Sequence, residues 1–334
     1  MSNRSRLLTL LSLAALTSVA HASGYSYTTI DAAGADGTVV TGINNSGHVA
    51  GYWVNQTPFG LLYSAFTANG DGSGFTQLTR PGSLALGASG IDSAGNIVGV
   101  SVDFSATAKG FYRSAAGAYS DIDPNLGGIT SGYSEAVGIN DSGTVVGYYT
   151  STTPASQADV SQDSVGFILH GGTYTSFDAS TYVPGAHGTQ IFSVNNAGLL
   201  AGRYVDGTFG APHGFLYDTN SNTFISGGLG SEYGMVNNFG QFTAIQYTGP
   251  NPSSPLGYNA LGFVVSGGTP SAFAFPGATT TQPLGINDLG QVTGLYLGAD
   301  NVIHGFVATP VPEPASFAAL GVGVVALLRR RRRA

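Results

Sequence analysis

A twelve-residue motif recurs six times along this 334-residue chain and constrains its fold more than any other feature. Successive copies begin 48, 48, 55, 42 and 50 residues apart, so each repeat occupies a similar length of chain. A regular period of this size is typical of repeat architectures such as solenoids and propellers. The copies are GINNSGHVAGYW from Gly42, GIDSAGNIVGVS from Gly90, GINDSGTVVGYY from Gly138, SVNNAGLLAGRY from Ser193, MVNNFGQFTAIQ from Met235 and GINDLGQVTGLY from Gly285.

Each copy of the motif predicts a β-hairpin. Apolar residues lead into an N/D-x-x-G tetrapeptide, which puts Asx first and Gly fourth in a type I turn. The Asx side chain can bond the backbone of the turn, and Gly accepts the positive φ that other residues resist. The strand that follows, such as VVGYY, is apolar at successive positions and is expected to be buried on both faces. The turn glycines are Gly47, Gly95, Gly143, Gly198, Gly240 and Gly290.

A second, shorter motif lies between these hairpins and predicts two more strands in each repeat. It consists of a small residue followed by Phe, and in most copies a short turn and another strand come next. Four strands in 40–50 residues match a β-propeller blade. The sequence therefore predicts an all-β propeller of six four-stranded repeats of about 48 residues over residues 23–309. The Phe positions are Phe66, Phe111, Phe167, Phe215, Phe263 and Phe306.

The chain ends leave two arrangements of the repeats open. In one, the strand containing Phe306 completes the first blade, so the ring closes between the two ends of the chain. In the other, blades begin at strands such as residues 27–30, and six blades fit without that closure.

The paired motifs resemble the HAF family of probable extracellular repeats. The tripeptides His213-Gly214-Phe215 and His304-Gly305-Phe306 are closest to the name-giving pattern, and the other copies lack the His. The fifth hairpin also lacks the Gly after its turn strand. The resemblance spans nearly all of residues 25–309 and implies an exported repeat protein, with no established activity.

The N-terminus has the three parts of a secretory signal peptide. Arg4 and Arg6 form a basic region, and an apolar stretch over residues 7–20 follows. Ala20 and Ala22 provide the small-x-small pattern that signal peptidase recognises, so residues 1–22 are predicted to be removed after Ala22.

The C-terminal residues 310–334 form a second targeting segment. An apolar run over residues 316–328 is too short to span a bilayer comfortably, and five arginines after it would resist translocation. The order of these parts resembles the PEP-CTERM sorting signal of Gram-negative bacteria. The resemblance implies recognition by an exosortase, removal of the tail and release to the cell surface or an extracellular matrix, whereas a permanent anchor is the alternative. The residues that carry this signal are Val311, Pro312, Glu313, Pro314, Arg329, Arg330, Arg331, Arg332 and Arg333.

The composition between these two segments excludes several classes of partner. Residues 23–310 contain four basic and seventeen acidic residues, a formal charge of −13, whereas nucleic-acid binding needs a basic surface. The absence of cysteine removes disulfides and thiolate metal sites, and the histidines are scattered, so no metal site or cofactor is predicted. Strand formers and abundant Gly favour short strands and tight turns over helices.

Two sets of equivalent positions are candidates for a ligand face. Three residues before each hairpin motif, four of six residues are long and polar, and in a propeller such positions form a ring at the channel or a rim. At the last motif position four of six residues are aromatic, which suits stacking on sugar rings as well as packing between blades. The first set is Glu135, Gln190, Glu232 and Gln282, and the second is Trp53, Tyr149, Tyr204 and Tyr296.

Two functions are compatible with these features. The first is a non-catalytic binding or structural protein of the cell surface or biofilm matrix, associated with polysaccharide. The second is a secreted glycan hydrolase or lyase, for which Glu135, Glu232 and Arg203 are the candidate groups. The sequence contains no nucleophile elbow, no H-E-x-x-H and no P-loop, which favours the first function.

Overall fold

The structure is a computed structural model that describes residues 24–311, apart from 59, 127–128, 131, 151–161 and 208–210. These residues form 26 β-strands. Helix in the described part of the chain is confined to a 3₁₀ turn at Ala179–Thr181 and to residues 162–163. The all-β class predicted from composition and repeats is confirmed.

Most strands belong to four-stranded antiparallel meanders in which neighbours in sequence are neighbours in the sheet. Four of these sheets are separate, and their strands come directly one after another along the chain. They are β6 (Ser83–Ile91), β7 (Ile97–Asp103), β8 (Ala108–Arg113) and β9 (Tyr119–Ile122); β12 (Tyr133–Ile139), β13 (Val145–Thr150), β14 (Val165–His170) and β15 (Thr173–Phe177); β16 (Ala186–Val194), β17 (Leu199–Asp206), β18 (Pro212–Asp218) and β19 (Thr223–Leu229); and β20 (Ser231–Val236), β21 (Phe242–Pro250), β22 (Tyr258–Ser266) and β23 (Thr269–Phe273).

The remaining long strands form one eight-stranded sheet with two halves. One half is β2 (Gly37–Ile43), β3 (His48–Thr57), β4 (Gly60–Asn69) and β5 (Thr76–Gln77). The other is β24 (Thr280–Ile286), β25 (Val292–Leu297), β26 (Ile303–Pro310) and β1 (Tyr25–Ile30). The halves meet at a single parallel pair, Gly37 with Ile303. The short strands β10 (Asn125–Leu126) and β11 (Ile129–Thr130) pair separately.

The first strands of successive sheets contact one another in order around an axis. Strand β2 contacts β6, β6 contacts β12, β12 contacts β16, β16 contacts β20, and β20 contacts β24. Strand β24 contacts β2 in turn, so the ring is closed. This radial arrangement of meanders around a central channel is the β-propeller fold.

The chain ends close the ring, as the first of the two predicted arrangements required, but with a different strand assignment. Strand β1 pairs antiparallel with β26 from Tyr25 opposite Pro310 to Ile30 opposite Gly305, so β1 is the outer strand of the last sheet. Strand β26, which contains Phe306, does not complete the sheet of β2 to β5. Its edge that faces away from β25 is paired with β1 instead. Ile30 is fully buried and packs with the core of the next sheet, which fixes this position.

The core lies between adjacent sheets and depends on the Gly-Phe motif. Phe66, Phe111, Phe167, Phe215 and Phe306 are fully buried, and Phe263 is nearly so. Each belongs to a cluster of apolar residues contributed by its own sheet and a neighbouring one. Strand β13, the VVGYY strand of the third repeat, is buried at all six positions, which confirms burial on both faces.

The six N/D-x-x-G turns have the predicted geometry. In the third repeat the Gly143 amide donates to the Asn140 carbonyl at 3.0 Å, and Asn140 Oδ1 accepts from the amides of Ser142 and Thr144. The turn glycines all have φ between +74° and +85°, the left-handed region that glycine adopts at little energetic cost.

The Asn residue that begins five of the six turns has a second role that the turn pattern did not predict. Its Nδ2 donates to the backbone carbonyl of the matching residue in the next sheet, at 2.9–3.0 Å, and the last of these bonds joins the C-terminal turn to the N-terminal one. The bonds run from Asn44 to Asp92, Asn140 to Asn195, Asn195 to Asn237, Asn237 to Asn287 and Asn287 to Asn44. Asp92 cannot continue the series because a carboxylate has no donor, and it accepts instead from Asn96 Nδ2 at 2.7 Å.

His304 adds an ionic contact to the closure. Its Nδ1 lies 2.8 Å from Asp31 Oδ2, after β1, and its Nε2 lies 3.1 Å from Asp300 Oδ2. Burial acts to lower the pKa of His304, but the hydrogen bonds and charges of Asp31 and Asp300 outweigh it and raise the pKa above the usual 6.5.

We therefore expect the contribution of His304 to stability to depend on pH. Because its pKa is raised on folding, the stabilisation is complete below about pH 6.5 and is lost as pH rises through the folded-state pKa. Changing His304 to Gln should lower the free energy of unfolding more at pH 5.5 than at pH 8.5, by less than about 1 kcal/mol since the pair is partly exposed. Denaturant titration at both pH values tests this. His170→Gln is the control, because that ring bonds the Thr144 hydroxyl and not a carboxylate. Equal losses at the two pH values for His304→Gln would contradict the expectation.

Candidate functional site

The propeller has two different ends. The first strand of each sheet runs toward the end that carries the six N/D-x-x-G turns, which we call the turn face. The opposite end, the loop face, carries the connections between the second and third strands of each sheet, such as residues 104–107 and 251–257. These connections differ in length from repeat to repeat. This topology places the connections between second and third strands at one end of the propeller.

The four long polar residues of the first candidate set lie on the first strands, near the loop face. Each is directly opposite a residue of the second strand, and directly opposed residues share one face of a sheet. Because first strands surround the axis of a propeller, these side chains lie at the inner edge of their sheets, near the channel. The pairs are Glu135 with Tyr148, Gln190 with Arg203, Glu232 with Ile245, and Gln282 with Leu295.

Arg203 joins two of these positions across neighbouring sheets. Its Nε donates to Gln190 Oε1 at 2.8 Å, and its Nη1 donates to Glu232 Oε2 at 2.8 Å. The guanidinium carbon lies 5.8 Å from the centre of the Phe192 ring. Burial acts to lower the pKa of Arg203, but the charge of Glu232 raises it above its usual value, so the guanidinium stays charged.

Two tyrosines extend this group to the last sheet. Tyr247 Oη donates to Glu232 Oε2 at 3.1 Å, and the Tyr247 and Tyr258 rings meet edge to face at 4.8 Å. Gln282 Nε2 donates to Tyr258 Oη at 3.2 Å. Gln190, Glu232 and Gln282 are therefore connected through Arg203 and these two phenols.

Glu135 has its own set of hydroxyl donors. Tyr148 Oη and Tyr133 Oη donate to Glu135 Oε2 at 2.6 and 3.0 Å, and the two rings stack with centroids 6.0 Å apart. Ser89 Oγ of the preceding sheet donates to Glu135 Oε1 at 3.2 Å. The carboxylate is thus held by three hydroxyl groups.

The two groups and Tyr52 occupy equivalent places in the ring, because Tyr52 is opposite Val39 as Tyr148 is opposite Glu135 and Arg203 is opposite Gln190. Burial raises the pKa of Tyr52 far above its usual value, and the charges of Tyr63, Glu135 and Tyr258 raise it further. Glu135 and Tyr258 belong to different sheets from each other and from Tyr52. Burial likewise raises the pKa values of Tyr133, Tyr148, Tyr247 and Tyr258, so these phenols remain hydrogen-bond donors at physiological pH. The two groups and Tyr52 together are called the axial cluster. Its ten residues are Tyr52, Tyr133, Glu135, Tyr148, Gln190, Arg203, Glu232, Tyr247, Tyr258 and Gln282.

The aromatic candidate set lies elsewhere. Successive residues of a strand point to opposite faces of the sheet, so Tyr149 and Tyr204 point away from the face that carries Tyr148 and Arg203. Both are buried in the apolar clusters between sheets. Trp53 packs against Phe66 and Phe75, and Tyr296 stacks on Phe275 with centroids 3.7 Å apart. The structure gives these four residues packing contacts and does not bring them into the axial cluster.

Sequence reasoning did not select the tyrosines of the axial cluster. Tyr148 precedes the aromatic position that was considered, and Tyr133 lies two residues before Glu135 on the same strand face. Tyr247 and Tyr258 flank the long loop of the fifth repeat. Strand pairing could have indicated Tyr52 and Tyr148, because each lies directly opposite one of the six equivalent positions that precede the hairpin motifs.

The turn face has a separate axial depression of about 80 Å³ lined by the six turns. Its carboxylate and amide oxygens already accept backbone amides of neighbouring turns, as Asp288 Oδ1 does from Asn238 at 2.8 Å. No group of three or more His, Asp or Glu residues suited to a metal ion occurs in the described part of the chain.

Comparison with protein-family models locates one motif, at residues 310–333. The C-terminal segment carries the PEP-CTERM protein-sorting motif. The motif implies export, exosortase-mediated processing and sorting to the bacterial cell surface. Val311 is exposed, and its amide donates to the Gly24 carbonyl at 2.6 Å. The other predicted sorting residues, 312–314 and 329–333, lie outside the described residues, as do Ala20 and Ala22.

The remaining comparisons concern the fold. No curated protein matches the chain. Among solved structures, TolB from Acinetobacter baumannii superposes with a TM-score of 0.50 at 12% identity, covering 80% of this chain and 65% of TolB. This chain therefore spans less than two thirds of the length of TolB. The Aleuria aurantia lectin, described as a six-bladed β-propeller that recognises fucose, has a TM-score of 0.47 at 13% identity and covers 87% and 97% of the two chains. Oligogalacturonate lyase has a TM-score of 0.44 at 11% identity and covers the same shares. At these identities the likeness concerns the fold alone.

Within the residues that the structure describes, no helix is both long and apolar enough to cross a membrane.

Proposed function

We propose that this protein is an exported, surface- or matrix-sorted binding protein without catalytic activity, associated with extracellular polysaccharide. The axial cluster carries the proposal, because it collects tyrosines, carboxylates, amides and one guanidinium at one end of a rigid scaffold. The sorting motif supports the cell surface as the location of this binding. In this proposal residues 1–22 are removed by signal peptidase after Ala22, and an exosortase removes the tail.

We further propose that residues 23–309, extended by the closing strand to Pro310, form six blades and belong with the HAF-type extracellular repeats. The two halves of the eight-stranded sheet count as separate blades, since they share only one residue pair. The six first strands in ring contact and the series of Asx bonds support the same count.

Glycan hydrolysis or lysis remains the second candidate function, because two of its three candidate groups are in contact: Arg203 bonds Glu232, whereas Glu135 is held separately by Tyr148. Hydrolysis needs one carboxyl group that donates a proton and another that acts on the substrate. Both carboxylates here are held by several donors, which favours binding. Incubating the purified protein with polysaccharides and measuring new reducing ends or unsaturated products distinguishes the two functions.

The tail provides a direct test of sorting. Pro fixes φ and disfavours helix, so the sequence Pro312-Glu313-Pro314 suits recognition by a membrane protease that binds extended chain. We expect the Pro312→Ala/Pro314→Ala double variant to stay unprocessed and membrane-bound. Mass spectrometry of cell fractions measures this outcome.

A truncation serves as the matched control for that test. Ending the chain after Val311 keeps the pairing of β26 with β1 and should yield a soluble periplasmic protein. A wild-type surface protein that retains its five C-terminal arginines would contradict the processing step.

A further inference from the structure

One buried hydrogen-bond donor of the axial cluster has no partner among the described residues. Gln190 is only 1% exposed, and its Oε1 accepts from Arg203 Nε, which fixes the orientation of the amide. Its Nε2 is buried and makes no hydrogen bond among the described residues. Leaving such a donor unpaired costs about 1–3 kcal/mol, and native proteins rarely contain one without a reason.

We propose that the axial cluster binds the terminal residue of an uncharged glycan, with Gln190 Nε2 donating to one of the sugar oxygens. This inference rests on the proposed function and specifies its site and ligand class. Arg203 bonds both Gln190 and Glu232, and the side chains of Arg203 and Glu232 are 19% and 16% exposed, so solvent reaches the groups beside Gln190.

The chemistry of the cluster suits hydroxyl groups. A sugar hydroxyl both donates and accepts, so it needs acceptors such as Glu232 and donors such as the Gln190 amide close together. Tyr52 and Tyr258 add aromatic surface with a polar end, which contacts the apolar face of a sugar while bonding its hydroxyls. Pockets for small ligands combine such aromatic walls with a few placed polar groups.

The charge of the site argues against acidic polysaccharides. The axial cluster contains two carboxylates and one guanidinium, and that guanidinium is already bonded to Glu232. Residues 23–310 have a formal charge of −13, so an anionic chain meets a repulsive field as it approaches.

The position of the site argues for a chain end. Members of the axial cluster come from β3, β12, β13, β16, β17, β20, β21, β22 and β24, whose sheets surround the axis. A ligand therefore enters along the axis from the loop face, and a long chain lying across the site reaches the buried amide only with its end.

The test compares Gln190→Glu with wild type by titration calorimetry of the full chain. Glutamate keeps the oxygen that accepts from Arg203 and replaces only the unpaired donor, so folding should be retained. We expect wild type to bind a neutral glucan, galactan or mannan oligosaccharide, and the variant to bind roughly tenfold or more weakly. Tyr258→Phe, which removes one hydroxyl from the cluster, should also weaken binding. Thermal unfolding verifies that both variants are folded.

Tyr204→Phe is the matched control. It removes a hydroxyl from the residue next to Arg203 but on the opposite face, where Tyr204 Oη bonds Ser226 Oγ, so affinity should not change. Equal affinity of wild type, Gln190→Glu and Tyr258→Phe for a bound oligosaccharide would overturn the assigned site and leave polysaccharide association intact. Tighter binding of oligogalacturonate than of neutral oligosaccharides would overturn the ligand class. Absence of binding to every saccharide tested would overturn both this inference and the polysaccharide association on which it rests.

Discussion

Replacing Gly147 with alanine should lower the free energy of unfolding by roughly 3 kcal/mol or more, because the site has no room for a methyl group. A Cβ on Gly147 would overlap the Glu135 carbonyl oxygen and would stand 2.9 Å from two atoms of the Phe167 ring. Both obstacles are rigid, since one is backbone of the neighbouring strand and the other is a fully buried side chain. Denaturant unfolding followed by circular dichroism measures the loss.

Gly143→Ala is the matched control for this variant. Gly143 lies four residues earlier in the same hairpin, has φ of +76°, and has no atom within 4 Å of an added Cβ. Only backbone strain opposes the alanine there, which costs about 1 kcal/mol. Equal losses of unfolding free energy in the two variants would show that the overlap with Phe167 and the Glu135 carbonyl is not the main cause of the Gly147→Ala effect. The fifth repeat has Ala244 at the position that matches Gly147. The expected loss therefore applies to Gly147, where an added Cβ would meet the Glu135 carbonyl oxygen and the Phe167 ring.

Exchanging amide and carboxylate in the ring of Asx residues should change stability in opposite directions at two positions. In Asn195→Asp, the oxygen that replaces Nδ2 faces the Asn237 carbonyl, which Nδ2 now contacts at 2.9 Å. The position is 5% exposed, and Leu199 four residues on has no side-chain donor to compensate. We expect a loss of about 2 kcal/mol in the free energy of unfolding. The loss should shrink in acid, where the introduced carboxyl group is protonated and can donate.

The reverse exchange, Asp92→Asn, should stabilise the protein by about 1 kcal/mol. The amide gains a donor toward the Asn140 carbonyl and completes the series of bonds between turns. Its Oδ1 still accepts from the amides of Ala94 and Asn96, as Asp92 does now. Chemical denaturation at neutral pH measures both variants, and destabilisation by Asp92→Asn would show that the bond from Asn96 Nδ2 to the carboxylate is worth more than the missing link.

The sequence by itself determined the local structure of each repeat. A turn of four residues closes by contacts within those residues, so N/D-x-x-G was enough to predict the geometry found at Gly143 and its five equivalents. The period and the four-strand content of a repeat determined the propeller, because neighbouring sheets must bury the Phe positions between them. The sorting tail could also be identified from the sequence, since short linear signals are recognised without a folded structure.

Only the tertiary structure decided how the repeats combine. The position of β1 depends on which free sheet edge it covers, and both edges accept a strand of this composition. Asn44 and Asn287 are 243 residues apart, so the bond between them follows from ring closure and from nothing local. The axial cluster arises in the same way: strand register divides Tyr148 from Tyr149 by sheet face, and the ring brings Arg203 to Glu232 and Glu135 to Ser89 across sheet boundaries. Side-chain direction alternates with a period of two along a strand, so it can be predicted directly from the sequence. Contacts across the axis depend on the closed ring of sheets, so they become visible only in the folded structure.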